Sequence, residues 1–132
     1  MYQRKTTAIT RVVGKRELAM MNEMMRATIE WGTGKHARLK KWPAAGKTGT
    51  TNDYLDAWFM GFSPDLVAGV YVGYDTPKPL ANEAGGKAAA PIFRDFMREA
   101  LKDKAIVPFR IPDGITLSPV TRDINSPVCR SA

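Results

Sequence analysis

Residues 44–51 have the sequence Ala-Ala-Gly-Lys-Thr-Gly-Thr-Thr, and residues 54–62 have the sequence Tyr-Leu-Asp-Ala-Trp-Phe-Met-Gly-Phe. β-Branched and aromatic residues favour strands, and Asn52-Asp53 between the two segments is typical of a turn. We therefore predict strands over residues 45–51 and 54–62. Ser63-Pro64-Asp65 is a second short connection, and residues 66–74 are predicted as a third strand. Short connections between successive strands favour an antiparallel meander of three strands.

A helix is predicted before these strands. Leu18, Met21, Met25 and Ile29 recur at helical spacing from Lys15 onward, and Gly32-Thr33-Gly34 is expected to end the helix. We interpret the methionines as core packing, because flexible thioether side chains fill irregular gaps; a methionine-lined binding groove is the alternative. Residues 1–13 are predicted to form a short strand or an extended lead-in.

A second helix is predicted after the strands, with Pro91 in its first turn, where a missing N–H does no harm. Its apolar face comprises Ile92, Phe93, Phe96, Met97, Ala100 and Leu101, and its polar face comprises Arg94, Asp95, Arg98 and Glu99. This helix is expected to cover one face of the meander. The fold class is therefore predicted as α+β, an antiparallel three-stranded meander packed against helices.

The composition indicates one small basic domain. The 132 residues include 20 Lys and Arg against 13 Asp and Glu, which gives a net charge of +7. Such a balance suits an acidic partner, namely nucleic acid, anionic lipid or an anionic polymer; a solvated basic surface is the alternative. The cations form small clusters at residues 35–41 and 94–104 rather than one run or stripe. We therefore predict that nucleic acid is not the partner.

The remaining chemistry-bearing residues are few. One cysteine, Cys129, and one histidine, His36, allow neither an internal disulfide nor a metal site built from these two residue types, and we expect no cofactor and no metal. His36 lies among cations without an evident partner carboxylate, so it is expected to be exposed rather than catalytic. No apolar run reaches the length of a membrane span, and no signal-peptide core follows Met1. We therefore expect neither a membrane span nor a targeting signal in this chain.

Gly46-Lys47-Thr48 has two interpretations. A phosphate-binding loop requires an earlier glycine at position 41, which is Lys41 here, and its Lys-Thr opens a helix. Gly49 and a strand-like segment follow instead, which argues against such a loop. The other interpretation is the Lys-Thr-Gly motif of penicillin-recognising enzymes.

Several segments support the second interpretation. Residues 46–53 and 56–75, which run from the Lys-Thr-Gly motif through the third predicted strand, resemble the class A (bifunctional) penicillin-binding proteins. Residues 26–37, with Gly32-Thr33-Gly34, and Gly85-Gly86 followed by residues 89–93 agree with it. The resemblance covers about residues 8–115 and implies a partial serine β-lactamase/transpeptidase-like fold. Residues 1–115 are accordingly interpreted as the C-terminal portion of a transpeptidase domain, and residues 116–132 as an extended, proline-containing tail.

The resemblance implies peptidoglycan D,D-transpeptidation through an acyl-serine intermediate, with catalytic roles for Lys47 and Thr50. Lys47 would place a cation beside the site and assist proton transfer, and the backbone N–H of Thr50 would be one donor of the oxyanion hole. Thr48 and Thr50 would hydrogen-bond the terminal carboxylate of a stem peptide or a β-lactam. Gly49 would let the substrate backbone lie against the strand, and Thr51 would support its edge. An ordinary β-branched strand is the alternative for the three threonines.

The chain departs from the family in lacking a nucleophile motif. The family uses Ser-x-x-Lys and Ser-x-Asn, both upstream of Lys-Thr-Gly, and none of Ser63, Ser118, Ser126 and Ser131 fits either pattern. We therefore expect a chain that is inactive alone, exposes a large apolar surface and has the missing N-terminal part of the domain as its partner. As part of a full protein it would lie at the periplasmic face of the bacterial inner membrane. A non-catalytic remnant or a basic binding module is the alternative.

Overall fold

The computed structural model describes residues 10–80 and 85–116. These residues form two α-helices, three strands and two short 3₁₀ turns. In chain order they are α1 (Lys15–Glu30), a 3₁₀ turn (Lys35–Ala37), β1 (Ala45–Thr50), a 3₁₀ turn (Asn52–Tyr54), β2 (Asp56–Phe62), β3 (Val67–Gly73) and α2 (Ala89–Ala100). Most of the predicted lead-in and nearly all of the proline-containing tail lie outside the described residues.

The three strands form one antiparallel sheet in the order β1-β2-β3. The predicted meander and the α+β class are therefore confirmed. β2 begins at Asp56 rather than at Tyr54, because the 3₁₀ turn occupies the residues before it. Asp53 and Tyr54 have φ angles of 58° and 55°, and this left-handed backbone conformation is incompatible with a continuous strand.

The core lies between α2 and one face of the sheet. Phe59 on β2 and Phe93 on α2 are fully buried, and their ring centroids are 4.8 Å apart. A Cβ atom at Gly61 would lie 2.6 Å from the Phe93 ring, so the glycine lets the helix approach the sheet closely. Met97 and Leu101 extend the same buried cluster along α2.

The prediction that the apolar stripe and the methionines of α1 pack in the core is wrong for most of the helix, since Met20 and Met24 are 49% and 58% exposed. Ile29 near the C-terminal end is buried, but Leu18 is 43% exposed and Met21 is 48% exposed. The 3.6-residue period identifies the apolar side of a helix, but it does not supply an element to cover that side. Leu18 and Met21 are therefore left about half exposed in the described part of the chain.

The predicted apolar face of α2 is also only partly buried. Phe93, Met97 and Leu101 lie in the core, whereas Ile92 and Phe96 are about half exposed. Trp58 and Met60 are exposed on the other face of the sheet. The described residues therefore present the large exposed apolar surface that the sequence led us to expect.

Candidate functional site

The Lys-Thr-Gly motif lies on β1, an edge strand whose single neighbour among the described strands is β2. The N–H of Thr51 donates a hydrogen bond to the carbonyl oxygen of Asp56 at 3.1 Å. Backbone groups alternate in direction along an antiparallel strand. Lys47, Gly49 and Thr51 therefore direct their N–H and C=O groups toward β2, whereas Thr48 and Thr50 direct theirs outward. We call this outward side of β1 the free edge.

The ammonium of Lys47 lies beside the free edge. Its Nζ donates hydrogen bonds to the carbonyl oxygen of Thr48 at 2.7 Å and to Thr48 Oγ1 at 3.3 Å. An ammonium has three donors, so one is available to a ligand. In residues 10–80 and 85–116, no carboxylate lies within ion-pair distance of Lys47. A positive charge that pairs with no carboxylate of the described residues therefore adjoins the outward backbone groups.

Thr48 brings a second threonine to the site. Its Oγ1 lies 2.9 Å from Oγ1 of Thr33, which follows α1 in the chain. Thr33 was predicted as part of a helix end and of a segment that resembles the family, but its hydroxyl was missed as a site group. The sequence feature that could have identified Thr33 is a hydroxyl residue between two glycines, in a segment that resembles the family.

Thr50 is positioned by the segment before α2. The N–H of Gly85 donates a hydrogen bond to Thr50 Oγ1 at 3.0 Å. A Cβ atom at Gly85 would overlap the carbonyl oxygens of Trp58 and Gly49, so a larger residue could not approach the sheet this way. The Thr50 hydroxyl accepts this bond and keeps its own hydrogen as a donor.

Gly49 and Thr51 have local roles in the hairpin. Gly49 faces the open side of the sheet, where an added Cβ would lie 3.2 Å from Trp58 Cβ. The Oγ1 of Thr51 accepts a hydrogen bond from the backbone N–H of Asp56 at 2.8 Å. Thr51 therefore closes the turn between β1 and β2, and its hydroxyl is engaged within the chain.

Asp56 also fixes an aromatic side chain on the open face of the sheet. The hydroxyl of Tyr71 donates a hydrogen bond to Asp56 Oδ1 at 2.8 Å, and the Tyr71 and Trp58 ring centroids are 4.8 Å apart. This hydrogen bond to a carboxylate raises the pKa of Tyr71 above its ordinary value. Tyr71 therefore stays protonated and donating throughout the neutral range.

Other candidate groups lie away from the free edge. Ser63 is buried, and its Oγ accepts hydrogen bonds from the N–H groups of Asp65 and Leu66 at 3.3 and 3.1 Å. It follows Phe62, which pairs with Ala45 at the end of β1 opposite Thr50. His36 is exposed, as predicted. The other three serines and Cys129 lie outside the described residues.

Neither a long apolar helix nor a cluster of metal-ligating side chains occurs in the described part of the chain. No helix there is long and apolar enough to cross a membrane. Residues 10–80 and 85–116 contain no group of three or more His, Cys, Asp and Glu side chains that could hold a metal ion.

Comparison with known proteins identifies the family. Residues 2–98 match the family described as the penicillin-binding protein transpeptidase domain. The chain belongs to this family. It is 46% identical to penicillin-binding protein 1A of Rickettsia prowazekii over 115 residues, which are 86% of the chain and 15% of that protein. It is 42% identical to penicillin-binding protein 1A of Neisseria gonorrhoeae over 108 residues, which are 80% of the chain and 14% of that protein.

Solved structures agree with this assignment. The crystal structure of penicillin-binding protein 1A from Haemophilus influenzae superimposes with a TM-score of 0.73 at 31% identity, covering 83% of the chain and 18% of that protein. The D,D-transpeptidase domain of an Eggerthella lenta peptidoglycan glycosyltransferase gives a TM-score of 0.58 at 22% identity, over 77% of the chain and 24% of that structure, and supports the fold alone. The resemblance to class A penicillin-binding proteins is thus confirmed for a part of the transpeptidase domain. The chain spans about 15% of the length of the curated relatives it matches.

Proposed function

We propose that this chain supplies the substrate-binding and oxyanion-stabilising strand of a peptidoglycan D,D-transpeptidase, while another segment supplies the nucleophilic serine. The observation that carries the proposal is the free edge of β1, where the Thr50 N–H points away from β2 and the Lys47 ammonium is hydrogen-bonded to the outward carbonyl oxygen of Thr48. In this role the chain is a part of an enzyme and is inactive alone.

The carboxylate of the substrate is bound by charge and by hydroxyl donors. The available donor of Lys47 and the hydroxyl hydrogen of Thr50 lie along the same strand. Hydrogen bonds from a cation to a carboxylate are about twice as strong as neutral ones. The ligand is the terminal carboxylate of a stem peptide or the carboxylate of a β-lactam.

The peptide backbone of the substrate pairs with the free edge as an added strand. The serine oxygen attacks the carbonyl carbon between the two terminal D-alanines, and the carbonyl oxygen becomes negative. The Thr50 N–H donates a hydrogen bond to this oxygen; one such donor contributes about 3–4 kcal/mol of transition-state stabilisation. Lys47 holds positive charge beside the site while the peptide C–N bond breaks and the serine proton passes to the amine of the departing D-alanine.

The nucleophile comes from outside the described residues. Ser63, the one serine among them, is buried and accepts two backbone hydrogen bonds at the far end of the sheet. Its hydroxyl therefore cannot reach a carbonyl bound at Thr50. The partner is the upstream part of the transpeptidase domain, and the assembled enzyme works at the periplasmic face of the inner membrane.

Labelled penicillin tests this division of roles. The chain alone is incubated with the label, and is then mixed with the upstream transpeptidase segment of the Rickettsia prowazekii relative. Mass spectrometry should find no adduct on the chain alone and, in the mixture, an adduct on a serine of the added segment. Lys47→Ala should lower the acylation rate in the mixture. Lys15→Ala should not lower it, because this variant removes an exposed cation at the start of α1.

Two outcomes would contradict the proposal. A stable adduct on a serine of this chain would show that it carries its own nucleophile. A mixture that associates but never acylates would favour the alternative, in which the chain is a non-catalytic remnant that binds without turnover.

A further inference from the structure

A basic surface forms where the loop after α1 meets α2. We call this the basic patch; its members are Lys35, Arg38, Lys40, Lys41, Arg94 and Arg98. Ala37 and Leu39 of the loop are buried with Phe93 and Met97 of α2. Because buried residues alternate with basic ones along the loop, anchoring Ala37 and Leu39 in the core leaves Arg38 and Lys40 exposed. Two cation clusters that are distant in sequence therefore become one surface.

The patch keeps an excess of positive charge after its internal ion pairs are counted. Glu30 pairs with Arg38 at 2.8 Å, and Asp95 accepts two hydrogen bonds from Arg94 at 2.8 and 3.0 Å. The Arg94 guanidinium lowers the pKa of Asp95, so this carboxylate stays charged. Six cations against these two carboxylates leave four positive charges.

The shape of the patch suits an extended ligand. Two adjoining depressions of about 520 and 470 Å³ share the side chains of Arg38, Lys40 and Arg94. Both are open to solvent, and their shared lining residues make them one basic surface. Within residues 35–41, Ala37 and Leu39 are buried, and the partly buried Trp42, which lines the larger depression, packs against the core with the Lys41 ammonium 4.8 Å from its ring centroid.

The patch begins beside the candidate site. Thr33 contacts Thr48 of β1 through their hydroxyl oxygens, 2.9 Å apart. Lys35 is two residues further along the chain, so its Cα lies within about 7 Å of the Thr33 Cα. A polymer that places one peptide on the free edge of β1 is therefore within reach of Lys35.

We infer that the basic patch is a second binding surface for the substrate polymer, a glycan strand whose peptides carry carboxylates. The inference rests on the proposed function: one peptide of the strand occupies β1, and carboxylates of neighbouring peptides bind the patch. Arginine forks and lysine ammonium groups both pair well with carboxylates. The patch raises the local concentration of peptides near β1, because a polymer held at one point binds more readily at the next.

Two triple variants of equal charge test this inference. The patch variant is Lys40→Gln, Lys41→Gln and Arg98→Gln, all at exposed positions. The control variant is Lys15→Gln, Arg16→Gln and Arg110→Gln, which lie together at a different surface depression. Circular dichroism confirms the fold of each. Sedimentation with insoluble purified peptidoglycan at a fixed salt concentration then measures binding.

The patch variant should bind peptidoglycan about tenfold more weakly than the parent chain, which corresponds to about 1.4 kcal/mol. The control variant should bind peptidoglycan less than about twofold more weakly than the parent chain. Converting the peptidoglycan carboxylates to amides should remove the difference in binding between the two variants. Equal losses in the two variants would overturn the inference, and so would patch-dependent binding that is tighter to phosphatidylglycerol vesicles or to DNA.

A measurement on the unaltered chain keeps the test independent of any folding defect. Acetylation of Lys40 and Lys41 should slow when peptidoglycan is bound, while acetylation of Lys15 should not; equal rates at the three lysines would contradict the inference. Penicillin acylation of the complemented sample reports on β1 alone. Its absence would defeat the proposed function, whereas equal sedimentation of the two triple variants would defeat only this inference.

Discussion

The two faces of the sheet differ sharply, although neighbouring residues of β2 supply both. Phe59 is 0% exposed beneath α2, and the adjacent Trp58 is 43% exposed on the open face. The covered face contains the closely packed phenylalanines, whereas the other face exposes Trp58 and Met60, and the free edge of β1 presents outward backbone groups beside the Lys47 ammonium. The difference suggests that α2 stabilises the fold, while the uncovered regions interact with another segment and with substrate.

The largest expected effect lies in the covered face. Phe93→Ala should lower the free energy of unfolding by about 3–5 kcal/mol, because it leaves a cavity against Phe59. Phe96→Ala is a matched control on the same helix; Phe96 is 54% exposed, so its loss should be under about 1 kcal/mol. Urea denaturation of both variants measures the difference. Equal losses of stability in the two variants would contradict the assignment of Phe93 to the buried side of α2 and of Phe96 to its exposed side.

The second effect concerns activity at the free edge. Thr50→Pro removes the outward N–H without removing a bond to β2, and edge strands tolerate proline in this orientation. In the complemented sample it should slow penicillin acylation about 100- to 1,000-fold. Thr50→Val keeps the N–H and removes the hydroxyl, and should slow penicillin acylation about tenfold or less. Acylation by the proline variant at the parent rate would eliminate Thr50 as an oxyanion donor.

The third effect is confined to the hairpin. Thr51→Val removes the oxygen that accepts the Asp56 N–H and should lower the free energy of unfolding by about 1 kcal/mol. Thr51→Ser keeps this oxygen, so its free energy of unfolding should stay within about 0.5 kcal/mol of that of the parent chain. Thermal unfolding of the two variants distinguishes them. A larger loss in the serine variant would show that the methyl group, not the hydroxyl, stabilises the turn.

The smallest effect is a pH dependence on the open face. The hydrogen bond to Asp56 raises the pKa of Tyr71 above 10 in the folded chain. The stability it contributes is therefore present below pH 10 and is lost as the pH rises through the raised pKa. Ultraviolet titration should show one tyrosine titrating late, and Asp56→Asn should return it toward 10. Tyr71→Phe assigns the transition; an unchanged late transition in that variant would place it on another tyrosine.

Much of the fold could be predicted from local pattern. The strands follow from β-branched and aromatic segments with turn residues between them, and the resemblance around Lys47-Thr48-Gly49 indicated both the family and the edge strand. The position of β1 at a sheet edge also follows from this pattern, since a meander makes its first strand an edge.

The errors came from interactions that local pattern does not contain. Periodicity marked Leu18, Met21 and Phe96 as apolar-face residues, but burial requires a covering element that the described chain does not provide. The Thr33–Thr48 and Gly85–Thr50 contacts join residues that are 15 and 35 positions apart. Such contacts depend on how α1 and the segment before α2 meet the sheet, and no spacing rule predicts them.

Amide hydrogen exchange in the complemented transpeptidase tests the central claim most directly. Before labelling, the Thr50 amide should exchange rapidly, whereas the amides of Lys47 and Gly49, which bond to β2, should be protected. After acylation by penicillin, exchange at Thr50 should slow at least about tenfold, with little change at Lys47 and Gly49. Protection of Thr50 before labelling, or equal slowing at all three amides, would contradict the account of a free edge that binds substrate.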